Sequence, residues 1–143
     1  MRTELSPEET TTVQHARTFA ELAEVARAAM ERAGTSLAIV CGPISTGGAE
    51  SPEENLRIFE GFIARIVHAG IAVFDQMPFE RALGRIKHAV PDGATRLLNE
   101  FYLPLFESGL ITVFYFIPRW ETSLGAYWEH AQAQRLNKCI IYL

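Results

Sequence analysis

Four short apolar runs, spaced along the chain, constrain its fold more than any other feature. They occupy residues 37–41, 71–74, 110–117 and 139–143, and segments with helical periodicity separate them. A continuous apolar run of this length is typical of a strand that is buried on both faces, as in a parallel sheet. Strands that alternate with helices indicate right-handed crossovers. We therefore predict an α/β fold, a three-layer sandwich with a short parallel sheet that is flavodoxin- or Rossmann-like, plus an extra N-terminal helix.

Capping signals set the limits of the predicted helices. Thr18 precedes an apolar pattern that ends at Gly34, and Ser51 with Pro52 begins a longer one that ends at Gly70. The inner stripe of that longer helix is predicted as Leu56, Phe59, Phe62, Ile63 and Ile66. Three further helices are predicted over residues 79–88, 94–107 (distorted at Pro104) and 122–137.

The N-terminal segment is polar and acidic. We predict residues 1–17 as a polar lead to a single domain over residues 18–143. Ser6 and Pro7 have the residue types that cap and start a short helical turn inside this lead. The lead has neither the apolar core of a signal peptide nor the basic character of a transit peptide, so we expect a cytoplasmic protein.

Charge and composition exclude several classes of partner. The formal net charge is −4 and no basic cluster stands out, so we expect no nucleic-acid partner. No apolar run approaches the ~18 residues of a membrane span, so we expect no membrane partner. Cys41 and Cys139 both lie in apolar runs and are predicted as buried, inert thiols. Metal-ligand spacing is lacking, and we expect no metal or redox cofactor.

A glycine-rich loop follows the first predicted strand. It runs from Gly42 to Gly48, and its backbone amides and the hydroxyls of Ser45 and Thr46 could hold a phosphate. The loop lacks the Gly-Lys-Ser/Thr of a Walker loop and the Gly-x-Gly-x-x-Gly of a dinucleotide fingerprint. The alternative is a set of turn glycines without a ligand.

A second loop follows the third predicted strand and leads into the last helix. Ser123 and Gly125 lie at the helix N-terminus, where amides and the helix dipole favour an anion. Glu129 follows Gly125 by one turn and points to the same face. A carboxylate on an inner face needs a partner, and the alternative is a solvated helix glutamate. In a sheet of order 2-1-3-4, both loops leave the carboxyl ends of adjacent strands and meet at one cleft.

The run Trp120-Glu121-x-Ser123-x-Gly125-x-x-x-Glu129-His130-x-x-Ala133, together with residues 39–44, resembles the nucleoside 2-deoxyribosyltransferase-like superfamily. The similarity covers roughly residues 37–143 and is greatest to an uncharacterised branch of that group. It implies that Glu129 attacks the anomeric carbon of a nucleoside or nucleotide and forms a glycosyl-enzyme intermediate. It also implies a homo-oligomer, a dimer or a tetramer.

The resemblance further implies which residues bind the substrate. The positions that match the group's 5′-phosphate site, together with the neighbouring glycines, are Gly42, Ile44, Ser45, Thr46, Gly47, Ser123 and Gly125. Trp120, Tyr127 and Trp128 are candidates for stacking on the base, with core or subunit packing as the alternative. His130 points to another face and is predicted as structural or interfacial. Asp75 ends the second predicted strand and is our candidate for a ribose contact.

Two functions from different classes follow from these residues. The first is a nucleoside- or nucleotide-binding protein that cleaves or exchanges an N-glycosidic bond through a carboxylate nucleophile. The second is a nucleotide sensor of the same fold that binds without cleavage. It is favoured because Thr95 and Tyr102 stand where enzymes of the group carry aspartates, and Ser45 stands where they often carry arginine. A structural subunit whose aromatic loops make dimer contacts is a third alternative.

Overall fold

The computed structural model describes residues 1–143 and has a mixed α/β architecture, with a three-stranded parallel sheet and six helical segments. The chain divides into two compact units. The sheet unit comprises Met1–Arg2, Ser36–Phe74 and Ile111–Leu143, and the helical unit comprises Thr3–Thr35 and Asp75–Leu110. The α/β class predicted from the apolar runs is confirmed. None of the helices is long and apolar enough to span a membrane.

The sheet contains strands β1 (Leu37–Cys41), β2 (Ile111–Phe116) and β3 (Cys139–Tyr142) in the order β1-β2-β3, all parallel. Every residue of β1 is buried, which is why its apolar run shows no alternation. At the carboxyl ends, Cys41 pairs with Phe116, and Phe116 pairs with Tyr142. The segments that leave β1 and β2 therefore start from the same edge of the sheet.

Of the strand predicted over residues 71–74, only Val73 pairs with neighbouring strand residues. Val73 forms parallel bridges with Ala38 of β1 and with Arg2. The amide of Phe74 donates to the carbonyl of Ala38 (2.8 Å), and the amide of Val73 donates to the carbonyl of Met1 (2.9 Å). The run thus lies beside β1, where the order 2-1-3-4 puts it, and the first two residues of the predicted lead extend this edge.

Two helices belong to the sheet unit, and a serine caps each. Helix α3 (Pro52–His68) starts after Ser51, whose hydroxyl accepts from the amide of Glu54 (3.1 Å). Its fully buried residues are Asn55, Phe59, Ile63 and Ile66, whereas the predicted stripe members Leu56 and Phe62 are half-buried. Helix α6 (Leu124–Arg135) starts after Ser123 and is shorter than predicted at both ends; its buried residues are Ala126, Glu129 and Ala133.

The helical unit contains the remaining helices: α1 (Pro7–His15), α2 (Phe19–Ala33), α4 (Glu80–Ala89) and a segment α5. Segment α5 consists of Gly93–Leu97, a π-helical turn over Leu98–Tyr102 and Leu103–Glu107. The turn widens directly before Pro104, which has no amide hydrogen to continue the α pattern, so the predicted distortion takes this form. Residues 7–15 of the predicted lead are a full helix, because Ser6 and Glu9 form a capping box.

Glu80, at the start of α4, has an unusual electrostatic environment. Burial raises the pKa of its carboxyl group to about 7. The charge of Lys87 and a hydrogen bond with Tyr102 act in the opposite direction, but less strongly. The sequence carried no signal for this, because a glutamate in the first turn of a helix is an ordinary complement to the helix dipole.

We expect the pH dependence of stability to report on Glu80. Its pKa is higher in the folded chain than in the unfolded chain, so its contribution to stability is complete below pH 4.5 and is lost as pH rises through 7. The expected loss is about 3 kcal/mol of unfolding free energy between pH 4.5 and 8. Urea denaturation of the wild-type protein and Glu80→Gln across this range measures it, because the substituted protein lacks the titration. Glu24→Gln, at an exposed position of α2, is the control; equal pH dependence of wild type and Glu80→Gln would contradict the prediction.

Candidate functional site

The two glycine-containing loops of the sheet unit meet, as predicted. The amide of Leu124 donates to the hydroxyl of Thr46 (3.0 Å), and the amide of Gly48 donates to the hydroxyl of Thr122 (2.8 Å). These pairs lie 78 and 74 residues apart in the chain. Side-chain hydroxyls therefore hold the loop after β1 against the start of α6.

Gly47 permits this close approach. Its φ is +67°, a left-handed conformation that residues with a side chain rarely adopt. A Cβ at this position would overlap the backbone of Thr122. Gly47 thus acts through its lack of a side chain, and its predicted role in phosphate binding stays a prediction.

Asn55 organises the loop from below, and sequence reasoning missed it. Its side-chain amide donates to the carbonyls of Ile44 (3.1 Å) and Gly47 (3.0 Å), and its carbonyl oxygen accepts from the amide of Ala49 (2.7 Å). Only 4% of the residue is exposed. The available signal was a polar residue one turn before Phe59 on the buried face of α3.

The hydroxyls of Thr46 and Ser123, two of the residues predicted to bind a phosphate, each accept a backbone amide. Ser123 caps α6 by accepting from the amide of Ala126 (3.2 Å), just as Thr46 accepts from Leu124. The helix-terminal amides are thus partly used within the protein. A hydroxyl that accepts an amide keeps its own hydrogen for donation. Ser123 is only 4% exposed, and the predicted phosphate contacts of both hydroxyls stay predictions.

Glu129 is buried at the end of β1. Only 7% of the residue is exposed, and its Oε2 lies 3.4 Å from the Sγ of Cys41. The alternative of a solvated helix glutamate is therefore wrong. Burial raises the pKa of the Cys41 thiol, and the charge of Glu129 and the hydrogen bond to it raise that pKa further. The thiol stays protonated and donates to the carboxylate.

The remaining residues predicted for the two loops differ in exposure. Ser45 is exposed, whereas Ile44 and Gly125 are half-buried. Gly42 is buried against Ile117, whose side chain a Cβ on Gly42 would overlap. The close approach explains glycine at position 42, and the predicted substrate contacts of these residues stay predictions.

Trp120 belongs to an aromatic cluster rather than standing alone. Its ring stacks on His130 (centroids 4.2 Å apart) and lies near Tyr127 and Tyr142 at 6.4 and 6.1 Å. The hydroxyl of Tyr142 is 2.6 Å from Nε2 of His130. Along α6, Tyr127 and His130 point about 200° and 100° away from Glu129 around the helix axis. The cluster thus forms on α6 faces other than the carboxylate face, consistent with a packing role for His130.

Asp75 belongs to the helical unit. It is 8% exposed, its Oδ1 accepts from the amide of Met77 (3.0 Å), and its own amide donates to the hydroxyl of Thr3 (2.9 Å). It lines a cavity of about 730 Å³ within this unit, together with Arg81 and Arg85. Its predicted ribose contact stays a prediction.

A second cavity, of about 680 Å³, lies in the sheet unit beside the first loop. Residues 48–51, Glu54 and Arg119 line it. Glu129 lines neither cavity. No group of three histidine, cysteine, aspartate or glutamate side chains is arranged to hold a metal ion.

The two cysteines differ in environment. Cys41 is fully buried, as predicted, but Cys139 is exposed, and the prediction that it is buried is wrong. The reason is topological: Cys139 starts β3, the edge strand of the sheet, whose four residues are half-buried or exposed.

A comparison with protein-family models, curated proteins and solved structures found no match to this chain.

We expect Gly47→Ala to separate the two loops. The added Cβ meets the backbone of Thr122 in a left-handed conformation, so the unfolding free energy should fall by about 2–4 kcal/mol. Gly61→Ala is the matched control: Gly61 is exposed in α3 with nothing near its Cβ, and alanine there should add about 0.5–1 kcal/mol. Urea denaturation measures both, and a Gly47→Ala protein as stable as wild type would refute the close contact.

Proposed function

We propose that this protein binds a nucleoside or nucleotide and cleaves or exchanges its N-glycosidic bond, with Glu129 as the nucleophile, on a three-layer Rossmann-like fold. The observation that supports the proposal is the buried carboxylate of Glu129 against Cys41, at the sheet edge from which both glycine-containing loops leave. A carboxylate withdrawn from water and adjacent to an anion-binding loop suits attack on a sugar carbon that develops positive charge.

The proposed reaction has two steps. One oxygen of Glu129 forms a bond to the anomeric carbon as the bond to the base nitrogen breaks, and that nitrogen keeps the electron pair and takes a proton from water. Water or a second base then attacks the same carbon, releases the carboxylate and completes hydrolysis or exchange. The two displacements on opposite faces retain the anomeric configuration.

The 5′ end of the ligand is assigned to the loop junction, the place where Thr46 and Gly48 of the first loop contact residues 122–124. The hydroxyl hydrogens of Thr46 and Ser123 would donate to a 5′-hydroxyl or 5′-phosphate, and the exposed Ser45 adds a third hydroxyl. Arg119, which lines the cavity beside the first loop, would supply a cation for a phosphate. Trp120 is the residue proposed to stack on the base, whereas Tyr127 points to the opposite face of α6 from Glu129 and is not assigned to it.

The second candidate function is a nucleotide sensor that binds without cleavage. The specific observation in its favour is that Glu129 is only 7% exposed and lines neither cavity, which restricts access of a sugar carbon to its oxygens. Under this proposal the loop junction binds the ligand, and Glu129 has a structural role through its contact with Cys41.

Self-association into a dimer or tetramer is part of the proposal. The sheet unit exposes five large apolar side chains to solvent: Met1, Leu124, Tyr127, Tyr142 and Leu143. Exposed apolar side chains that form a contiguous surface are typical of a contact with another protein, and such a surface is what this proposal requires.

A panel of nucleosides and 5′-monophosphates tests the two functions. We expect the wild-type protein to release free base, measured by chromatography, and Glu129→Gln to reduce the rate by about 10³-fold or more. Glu121→Gln, at an exposed position three residues before α6, should keep wild-type activity.

The outcomes separate the alternatives. Base release that Glu129→Gln does not affect would contradict the assigned nucleophile. If no base appears but a nucleotide raises the melting temperature, the sensor function is correct. No base and no thermal shift with any member of the panel would overturn both.

A further inference from the structure

Asn55 holds two carbonyls of the first loop, and this fixes the direction of the amides that follow them. Its side-chain amide donates to the carbonyl oxygens of Ile44 (3.1 Å) and Gly47 (3.0 Å). All peptide bonds are trans, and in a planar trans unit the carbonyl of one residue and the amide of the next point in opposite directions. The amides of Ser45 and Gly48 therefore point away from the side-chain amide of Asn55.

The amides of this segment fall into two groups. The amide of Gly48 donates to the hydroxyl of Thr122 (2.8 Å), and the amide of Ala49 donates to the side-chain oxygen of Asn55 (2.7 Å). The amides of residues 45–47, in contrast, donate to no group of the protein. Successive backbone N–H groups without a protein acceptor are the donors from which anion-binding loops are built.

Hydrogen-bond direction, rather than charge, has to decide whether this segment holds an anion. None of residues 42–49 is charged. An anion at the loop would therefore depend on backbone amides that already point outward before it binds. Asn55 is only 4% exposed, so its influence on such an anion passes through the backbone that it holds.

We propose that Asn55 is a positioning residue that makes the first loop an anion site, with the amides of residues 45–47 as donors, and thereby sets a preference for a 5′-monophosphate over the nucleoside. The identity of the ligand rests on the proposed function, but the loop can be tested without a nucleotide. The alternative, in which Asn55 only stabilises the fold, makes different predictions.

The first test measures hydrogen exchange of the loop amides in the wild-type protein by NMR. We expect the amides of residues 45–47, corrected for their intrinsic rates, to exchange about 10-fold or more faster than those of Gly48 and Ala49, which are hydrogen-bonded. Equal protection of the two groups would overturn the arrangement on which the proposal depends.

The second test titrates inorganic phosphate into wild type, Asn55→Ala and Ile63→Val while NMR follows the amide shifts. Ile63 is fully buried about two turns further along α3, so Ile63→Val lowers stability and leaves Asn55 in place. We expect phosphate to move the amides of residues 45–47 in wild type and Ile63→Val with equal affinity. Asn55→Ala should bind phosphate about 10- to 100-fold more weakly, because the amides lose their fixed direction.

The third test compares a nucleoside with its 5′-monophosphate by calorimetry. We expect Asn55→Ala to lower the ratio of the two affinities by about 10-fold or more, since only the monophosphate uses the loop amides. A residue that merely stabilises the fold would weaken both ligands alike. Urea denaturation confirms that the variants fold; if Asn55→Ala does not, hydrogen exchange and the wild-type titration still decide.

The outcomes separate this inference from the proposed reaction. Wild-type amides of residues 45–47 that do not respond to phosphate, or that respond equally in Asn55→Ala, would overturn the positioning role. Phosphate binding at the loop without base release from any nucleoside overturns the proposed reaction alone. Base release from nucleosides without a phosphate response at the loop overturns this inference alone.

Discussion

The alignment of the carboxyl ends of the parallel strands is the constraint on which the candidate site depends. Cys41 pairs with Phe116, and the amide of Ile117 donates to the carbonyl of Cys41 (3.1 Å), so β1 and β2 stop at the same level. Two segments that are far apart in sequence must then leave from one edge. This is the general reason that open parallel sheets place ligand sites beyond their carboxyl ends.

Side-chain groups, rather than strand pairing, complete the junction beyond that edge. Thr46 and Thr122 each accept an amide from the opposite loop, and Asn55 holds the first loop by three hydrogen bonds from beneath. Asn55 is buried with its side-chain donors and acceptor hydrogen-bonded, and this fixes one arrangement of the first loop, because any alternative leaves a donor or acceptor unsatisfied. The absence of a side chain at Gly47 lets the two backbones approach. The loop junction is thus preorganised before any ligand binds.

Glu129 stands out energetically within this arrangement. A carboxylate at 7% exposure is costly unless it is hydrogen-bonded, and one of the contacts of Glu129 is with the thiol of Cys41. An apolar residue of similar volume on this face of α6, between the buried Ala126 and Ala133, would pack without that cost. A buried acid in such a place is more readily explained by chemistry than by stability, which is why the proposed function depends on it.

Local features of this protein were predictable from its sequence, and long-range contacts were not. The caps at Ser6, Thr18 and Ser51 were recognisable because a cap involves residues three apart, and the buried strand β1 because its apolar run is continuous. The spacing of Ser123, Gly125 and Glu129 in the last helix also directed attention to Glu129. The sequence did not reveal that 71–74 would pair through Val73 alone, that Asn55 would hold a loop, or that Cys139 would be exposed on an edge strand. Such outcomes depend on which groups the folded chain brings within hydrogen-bonding distance and on which strand lies at the edge.

The sequence by itself therefore determined most of the helices and strands and the residue types available for chemistry. Only the tertiary structure decided that the Cys41 thiol would contact Glu129, since contacts between residues 88 apart follow from packing and leave no periodic signal.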